Sequence, residues 1–111
     1  MIKLKELAKL DLRVATVITC EEIPKSRNFY RFELECGKGG IRQIIANIPK
    51  DITVDQLLNS KIIVLLNVEP RTILGKRSEG ILLAADVGNQ PYLLKLDDQI
   101  SAAIPPGTKI R

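Results

Sequence analysis

Apolar residues in this chain recur mostly at a period of two. Between residues 12 and 20 the even positions hold Leu12, Val14, Thr16, Ile18 and Cys20, while Arg13 and Thr19 face away. Residues 30–36 alternate more cleanly, with Tyr30, Phe32, Leu34 and Cys36 on one side and Arg31, Glu33 and Glu35 on the other. That is the pattern of half-buried antiparallel strands. The glycine-rich stretch Cys36-Gly-Lys-Gly-Gly-Ile41 supplies a turn, because glycine tolerates positive φ. Its Lys38 reads as a solvated tip, and a third strand is expected over 41–47. Thr53-Val-Asp-Gln56 matches a capping box and predicts a short helix at about 54–59. Residues 61–67 and 80–86 are nearly all apolar, which predicts a fourth and a fifth strand covered on both faces. Ahead of the strands, residues 3–9 place Leu4, Leu7 and Ala8 on one side of a short helix.

Three strands, a helix and two strands is the element order of an all-β OB-fold, a five-stranded Greek-key barrel with its helix between strands three and four. Residues 1–111 then form a single domain: an N-terminal helix (1–10), the barrel (11–86) and a C-terminal extension (87–111). The extension carries YLLKL (92–96) and ISAAIPPGTKI (100–110), which are apolar enough to need burial. Two solutions stand open. A second protomer could cover them in a homodimer, or the tail could fold back over its own barrel.

Composition narrows the function. The longest clean apolar runs, Ile62–Leu66 and Ile81–Ala85, are far shorter than the ~20 residues of a membrane-spanning helix. MIKLKELAKLD at the N-terminus has no uninterrupted apolar core of the signal-peptide kind. A cytoplasmic protein without membrane attachment is expected. Cys20 and Cys36 fit no metal-ligand spacing, and the chain has no histidine to complete a site, so no metal or cofactor is expected. The two thiols read as small core residues, with a disulfide between adjacent strands left open. Without histidine, Ser–His and Cys–His nucleophile pairs and a histidine base are all impossible. No carboxylate constellation replaces them, and the chain does not read as an enzyme.

Charge then points to a partner. The net charge is +4, and residues 24–50 alone account for it: Lys25, Arg27, Arg31, Lys38, Arg42 and Lys50 against Glu33 and Glu35. Within the neutral remainder, Arg71, Lys76 and Arg77 crowd one loop with no acid between 71 and 77. Basic loops on a mildly basic domain suit a polyanion. The stretch NVEPRTILGKRSEGILLAA (67–85) contains Gly-Lys-Arg-Ser, yet it is no phosphate-binding P-loop. That pattern needs Gly at Pro70 and Ser or Thr at Arg77. Instead, Pro70 stiffens the entry, Gly75 and Gly80 allow bends, and Arg71 offers a planar fork to phosphate. Ser78 can donate to a phosphate or a base edge, and Asn67 can hold the loop's backbone or read a base. Only Phe29 among the four aromatics is expected to be available for stacking. Shape and phosphate recognition of a folded RNA therefore fits better than coating of single strands.

DLRVATV (11–17), GIRQIIANI (40–48), QLLNSKIIVLLNVEPRTILGKRSEGILLAAD (56–86) and PPGTKI (105–110) together resemble the tRNA-binding domain family. The most specific piece is N-x-x-P-R-x-x-x-G-x-x-S-x-G-x-x-L-A-A, met from Asn67 to Ala85. The resemblance implies a non-catalytic, homodimeric OB domain that binds tRNA by shape. Such a domain is free-standing or serves methionyl-tRNA synthetase as a β subunit or C-terminal domain; a chaperone, CsaA, belongs to the same family and gives the alternative reading. By motif position Asn67, Arg71, Ser78 and Ile81 fall where the family contacts RNA, with Lys76 and Arg77 beside them. Lys25, Arg27 and Arg42 complete the expected phosphate-binding set. Thr72 stands where the family usually has a basic residue, Ile81 where it usually has Met, and IPKSRNF (23–29) replaces H-P-N-A-D-K-L.

Overall fold

The structure, a computed structural model, describes all residues 1–111. Its spine is β1 (Leu12–Glu22), which pairs antiparallel with β2 (Phe29–Glu35) on one side and with β4 (Lys61–Leu65) on the other. Strand β3 (Ile41–Asn47) pairs with β2, and β7 (Ile81–Leu82) pairs with β4, giving the order β3-β2-β1-β4-β7. Closure comes just before β7. The Glu79 amide donates to the Gln43 carbonyl at 2.8 Å, and the Ser78 hydroxyl oxygen accepts from the Ile45 amide at 3.0 Å. The result is a nearly closed five-stranded antiparallel barrel of the OB type, with helix α2 (Val54–Leu57) between β3 and β4. The expected capping box is present in both directions, the Thr53 amide donating to Gln56 Oε1 at 2.7 Å and the Gln56 amide to Thr53 Oγ1 at 3.4 Å.

The core contains Phe32, Leu34, Cys36, Ile44, Ile62 and Val64, with Leu57 closing it from α2. Strand β2 buries the row its alternation predicts. Strand β1 does not. Its inward residues are Ala15 and Val17 and then Cys20, because the register with β2 shifts between Val17 and Thr19. A bulge reverses the alternation there and leaves Ile18 exposed. Val14 is buried outside that cluster, and its backbone pairs with the tail. Strand β4 buries Ile62 and Val64, while Ile63 and Leu65 are only half-buried, so it is not covered equally on both faces.

The expected fifth strand is also split. Only Ile81 and Leu82 extend the barrel; Ala84–Val87 (β8) turns outward and pairs with Gln90–Leu93 (β9). Gly88 and Asn89 both have positive φ, 57° and 67°, as a tight hairpin turn requires. The N-terminal helix α1 (Leu4–Leu7) is shorter than expected and buries none of its residues. No helix is long and apolar enough to cross a membrane. Cys20 and Cys36 are free and buried, and burial pushes each thiol up to about 11.

After β9 the tail returns along its own barrel. Leu96 donates to the Lys61 carbonyl at 2.8 Å, and Lys61 Nζ donates to the carbonyls of Ser101 and Ile104 around helix α3 (Asp98–Ser101). The last residues run beside β1: Val14 donates to Thr108 at 2.9 Å, Gly107 to Val14 at 2.7 Å and Ile110 to Leu12 at 2.9 Å. Asp11 joins both chain ends, lying 2.7 Å from Arg13 and 3.6 Å from Lys109. The hydrogen bond from Arg13 is the main reason its carboxyl titrates below the usual range.

Candidate nucleic-acid interface

In OB-folds the outer face of strands two and three, between the first loop and the loop joining strands four and five, takes oligonucleotides. Here that face is bounded by residues 23–28 and by a hairpin that the sequence did not predict. Strands β5 (Arg71–Ile73) and β6 (Lys76–Ser78) pair around Leu74 and Gly75, whose φ values of 52° and 75° make the two-residue turn. The buried Ser78 hydroxyl fastens the hairpin to β3 through the Ile45 amide. Gln43 Nε2 adds a bond to the Arg77 carbonyl at 2.8 Å. Arg71, Lys76 and Arg77 are thus carried outward on a braced strand pair rather than a loose loop.

Arg71 and Lys76 have no acidic partner, and Arg77 only an approach of 3.7 Å to Glu79 with its side chain 68% exposed. Such a contact contributes little and leaves the guanidinium free for phosphate. On the opposite rim Lys25 and Arg27 are also exposed and without ion pairs. Their loop is tight: Lys25 and Asn28 sit at φ 63° and 61°, and Ser26 Oγ donates to the Ile23 carbonyl at 2.6 Å. Asn47 Nδ2 ties the loop to β3 by donating to the Arg27 carbonyl at 2.8 Å. Lys50, one of the cations in the basic 24–50 window, shares a recess with Ser26, Arg27 and Asn28. In the middle of the face, Phe29, Asn47, Arg71, Ile73 and Ile81 surround an open hollow of about 240 Å³.

Three of the residues singled out in the sequence are engaged inside the fold. Besides Ser78, Asn67 accepts from the Asp11 amide at 2.8 Å and donates to the Lys9 carbonyl at 2.6 Å, fixing the entry to β1. Arg42 donates to the carbonyls of Gly39, Leu66 and Glu79 at 3.3–3.4 Å, beneath the root of the hairpin. It lines a second hollow, of about 590 Å³, with Arg13, Lys38 and Gly107. The structure therefore gathers Arg71 and Ile81 beside Asn47, which also holds the Arg27 backbone, with Lys76 and Arg77 on the strand that pairs with Arg71. Asn67 and Arg42 do not line that hollow. No group of three or more His, Cys, Asp or Glu side chains converges to hold a metal.

Residues 12–108 match the family model described as "Putative tRNA binding domain", and the chain belongs to this family of tRNA-binding domains. It is 34% identical over 110 residues to a methionine–tRNA ligase of Pyrococcus horikoshii, an alignment covering 99% of this chain and 14% of that enzyme. The chain spans only about a seventh of the length of the curated ligases it matches. Among solved structures it is similar to the chaperone CsaA of Bacillus anthracis, with a TM-score of 0.86, 29% identity, and coverage of 100% of this chain and 99% of that one. A MetRS-related protein of Pyrococcus horikoshii shares the fold, with a TM-score of 0.86 at 22% identity over 100% of this chain and 98% of that one.

Proposed function

We propose that this domain is a non-catalytic tRNA-binding protein that grips folded tRNA on the β2–β3 face, free-standing or as a β subunit beside methionyl-tRNA synthetase in the cytoplasm. One observation carries the reading: a rim of cations without strong ion pairs, Lys25, Arg27, Arg71, Lys76 and Arg77, borders the OB ligand face of a chain in the tRNA-binding family. Aromatics refine it. Phe32 is buried, Tyr30 packs on the core, and Tyr92 sits elsewhere with its hydroxyl on Asp51. With Phe29 alone on the face, a row of stacked bases has no platform, and phosphates and RNA shape become the recognised features. Each neutralised phosphate contributes about 0.7–0.9 to the slope of log affinity against log salt, so four to six contacts give a slope of about 3–5.

The likeness to CsaA favours a second reading, binding of unfolded polypeptide. A competition between tRNA and a reduced, unfolded polypeptide across a salt series separates them. The tRNA reading expects steep weakening with salt and no displacement of tRNA by the polypeptide. Polypeptide binding that persists in high salt and expels tRNA would reverse the order of the two.

A homodimer belongs to the same proposal. Met1, Ile2, Leu4 and Leu7 are exposed, and α1 buries nothing within its own chain. A symmetric partner would cover them. Changing Leu4 and Leu7 to Glu should halve the sedimenting mass without lowering β content; a wild-type protein that sediments as a monomer at micromolar concentration refutes the assembly.

A further inference from the structure

The hollow between Phe29, Asn47 and Arg71 has a use that phosphate contacts do not supply. We infer that it seats one unstacked nucleobase of any identity, held by its flat face on Phe29 and by its Watson–Crick edge on Asn47. The inference rests on the RNA reading of this face and adds a base contact to it.

Size is the first argument. At about 240 Å³ the hollow lies below the roughly 300–1,000 Å³ of sites for drug-sized ligands, so it suits a planar ring and not a whole nucleotide. Its walls are mostly apolar, with Ile73, Ile81 and Ala84 lining it together with Phe29. Phe29 is placed there by the alternation of β2. Tyr30, Phe32 and Leu34 point inward, so Phe29 stands on the outer side, half-buried and opposite Asn47 of β3. A ring held in this way stacks with little further loss of freedom.

Asn47 supplies the polar edge. Its amide has two N–H donors and a carbonyl acceptor, and only one N–H is used, on the Arg27 carbonyl. One N–H and the carbonyl oxygen remain free to pair. That pair complements the amino and ring-nitrogen edge of adenine or cytosine, and equally the carbonyl and ring N–H edge of uracil or guanine. A base already paired in a duplex offers neither. Arg71, exposed and without an acid, stands at the same opening for the flanking phosphate. The combination selects an unpaired residue next to a helix without selecting its letter, which suits a protein that accepts many folded RNAs.

The test uses one RNA hairpin with three loops: uridines, 3-methyluridines, whose pairing edge is blocked, and abasic residues. The uridine loop should bind wild-type protein about 5- to 150-fold more tightly than the abasic loop, the range expected for one stacked base. The methylated loop should fall between them. Phe29→Leu keeps an apolar side chain but no aromatic face, and should erase most of the advantage over the abasic loop. Asn47→Leu should make uridine and 3-methyluridine loops bind alike. Phe29→Leu removes neither a cation nor the Asn47 tie to the Arg27 carbonyl, so its salt slope should stay unchanged, and thermal melts establish that both variants are folded. Equal binding of all three loops to wild-type protein, with tRNA still bound in a salt-dependent way, overturns the base seat and spares the tRNA reading. Failure to bind both the hairpins and tRNA overturns both.

Discussion

Reversing Lys76 and Arg77 together to Glu should abolish tRNA binding while leaving the melting temperature within a few degrees of wild type. The two side chains project from β6, whose attachment to β3 runs through the Ser78 hydroxyl and the Arg77 backbone carbonyl, neither of which the substitutions remove. The one ion pair lost is the exposed 3.7 Å contact with Glu79, and such contacts are worth at most about 1 kcal/mol. The cost to binding is larger because attraction becomes repulsion at two phosphates. Whatever affinity remains at low salt should show a slope against log salt smaller by about 1.4–1.8. A control reverses Lys38 and Arg111, which makes the same change in net charge at two exposed positions that do not line the β2–β3 hollow. Gel shifts with one tRNA at fixed salt decide the matter. Unaltered affinity in the first variant removes the hairpin from the interface, and an equal loss in the control would mean that overall charge, not this rim, does the binding.

Why the rim was legible in the sequence and its support was not follows from what each depends on. A local excess of cations and a barrel's element order are local properties, and residues 24–50 and 71–77 display the excess directly. The capping box at Thr53 and the inward row of β2 are local too, and both appear as read. The bulge in β1 is not local. Ala15 and Val17 face inward and Ile18 outward because β2 pairs across an irregular register, which the alternation of β1 alone cannot show. The fifth strand fails for a similar reason, since the positive φ of Gly88 and Asn89 folds residues 84–93 on themselves once two barrel pairs are made. Candidate residues in the hairpin divide along the same line. Ser78 and Asn67 are polar positions in a recognisable motif, and sequence does not distinguish a hydroxyl meant for RNA from one that answers the Ile45 amide. Asn47 drew no notice because its neighbours Arg27 and Arg71 meet it only in the folded chain.

The tail's position depends on two glycines, and Gly37→Ala should cost about 3–5 kcal/mol, a fall of roughly 10–20 °C in melting temperature for a domain of this length. Gly37 has φ +68°, and a Cβ built there would lie 2.7 Å from the Pro106 carbonyl oxygen and 2.8 Å from Gly107 Cα. Both are backbone atoms, so no side-chain rotation relieves the clash. The left-handed conformation itself costs a non-glycine residue about 1–2 kcal/mol. Moving residues 106–108 away then puts at risk the two backbone bonds that join Val14 to Gly107 and Thr108 beside β1. Gly88→Ala is the matched comparison. Its φ is +57°, in the left-handed turn before Asn89, yet nothing lies within 4 Å of the added Cβ. That variant should show the conformational cost alone, about 1–2 kcal/mol. The difference between the two, read from chemical denaturation of both proteins, isolates the contact between the β2–β3 turn and the tail. Equal midpoints would show that the tail yields without cost and that the return of residues 105–110 along β1 contributes little to stability.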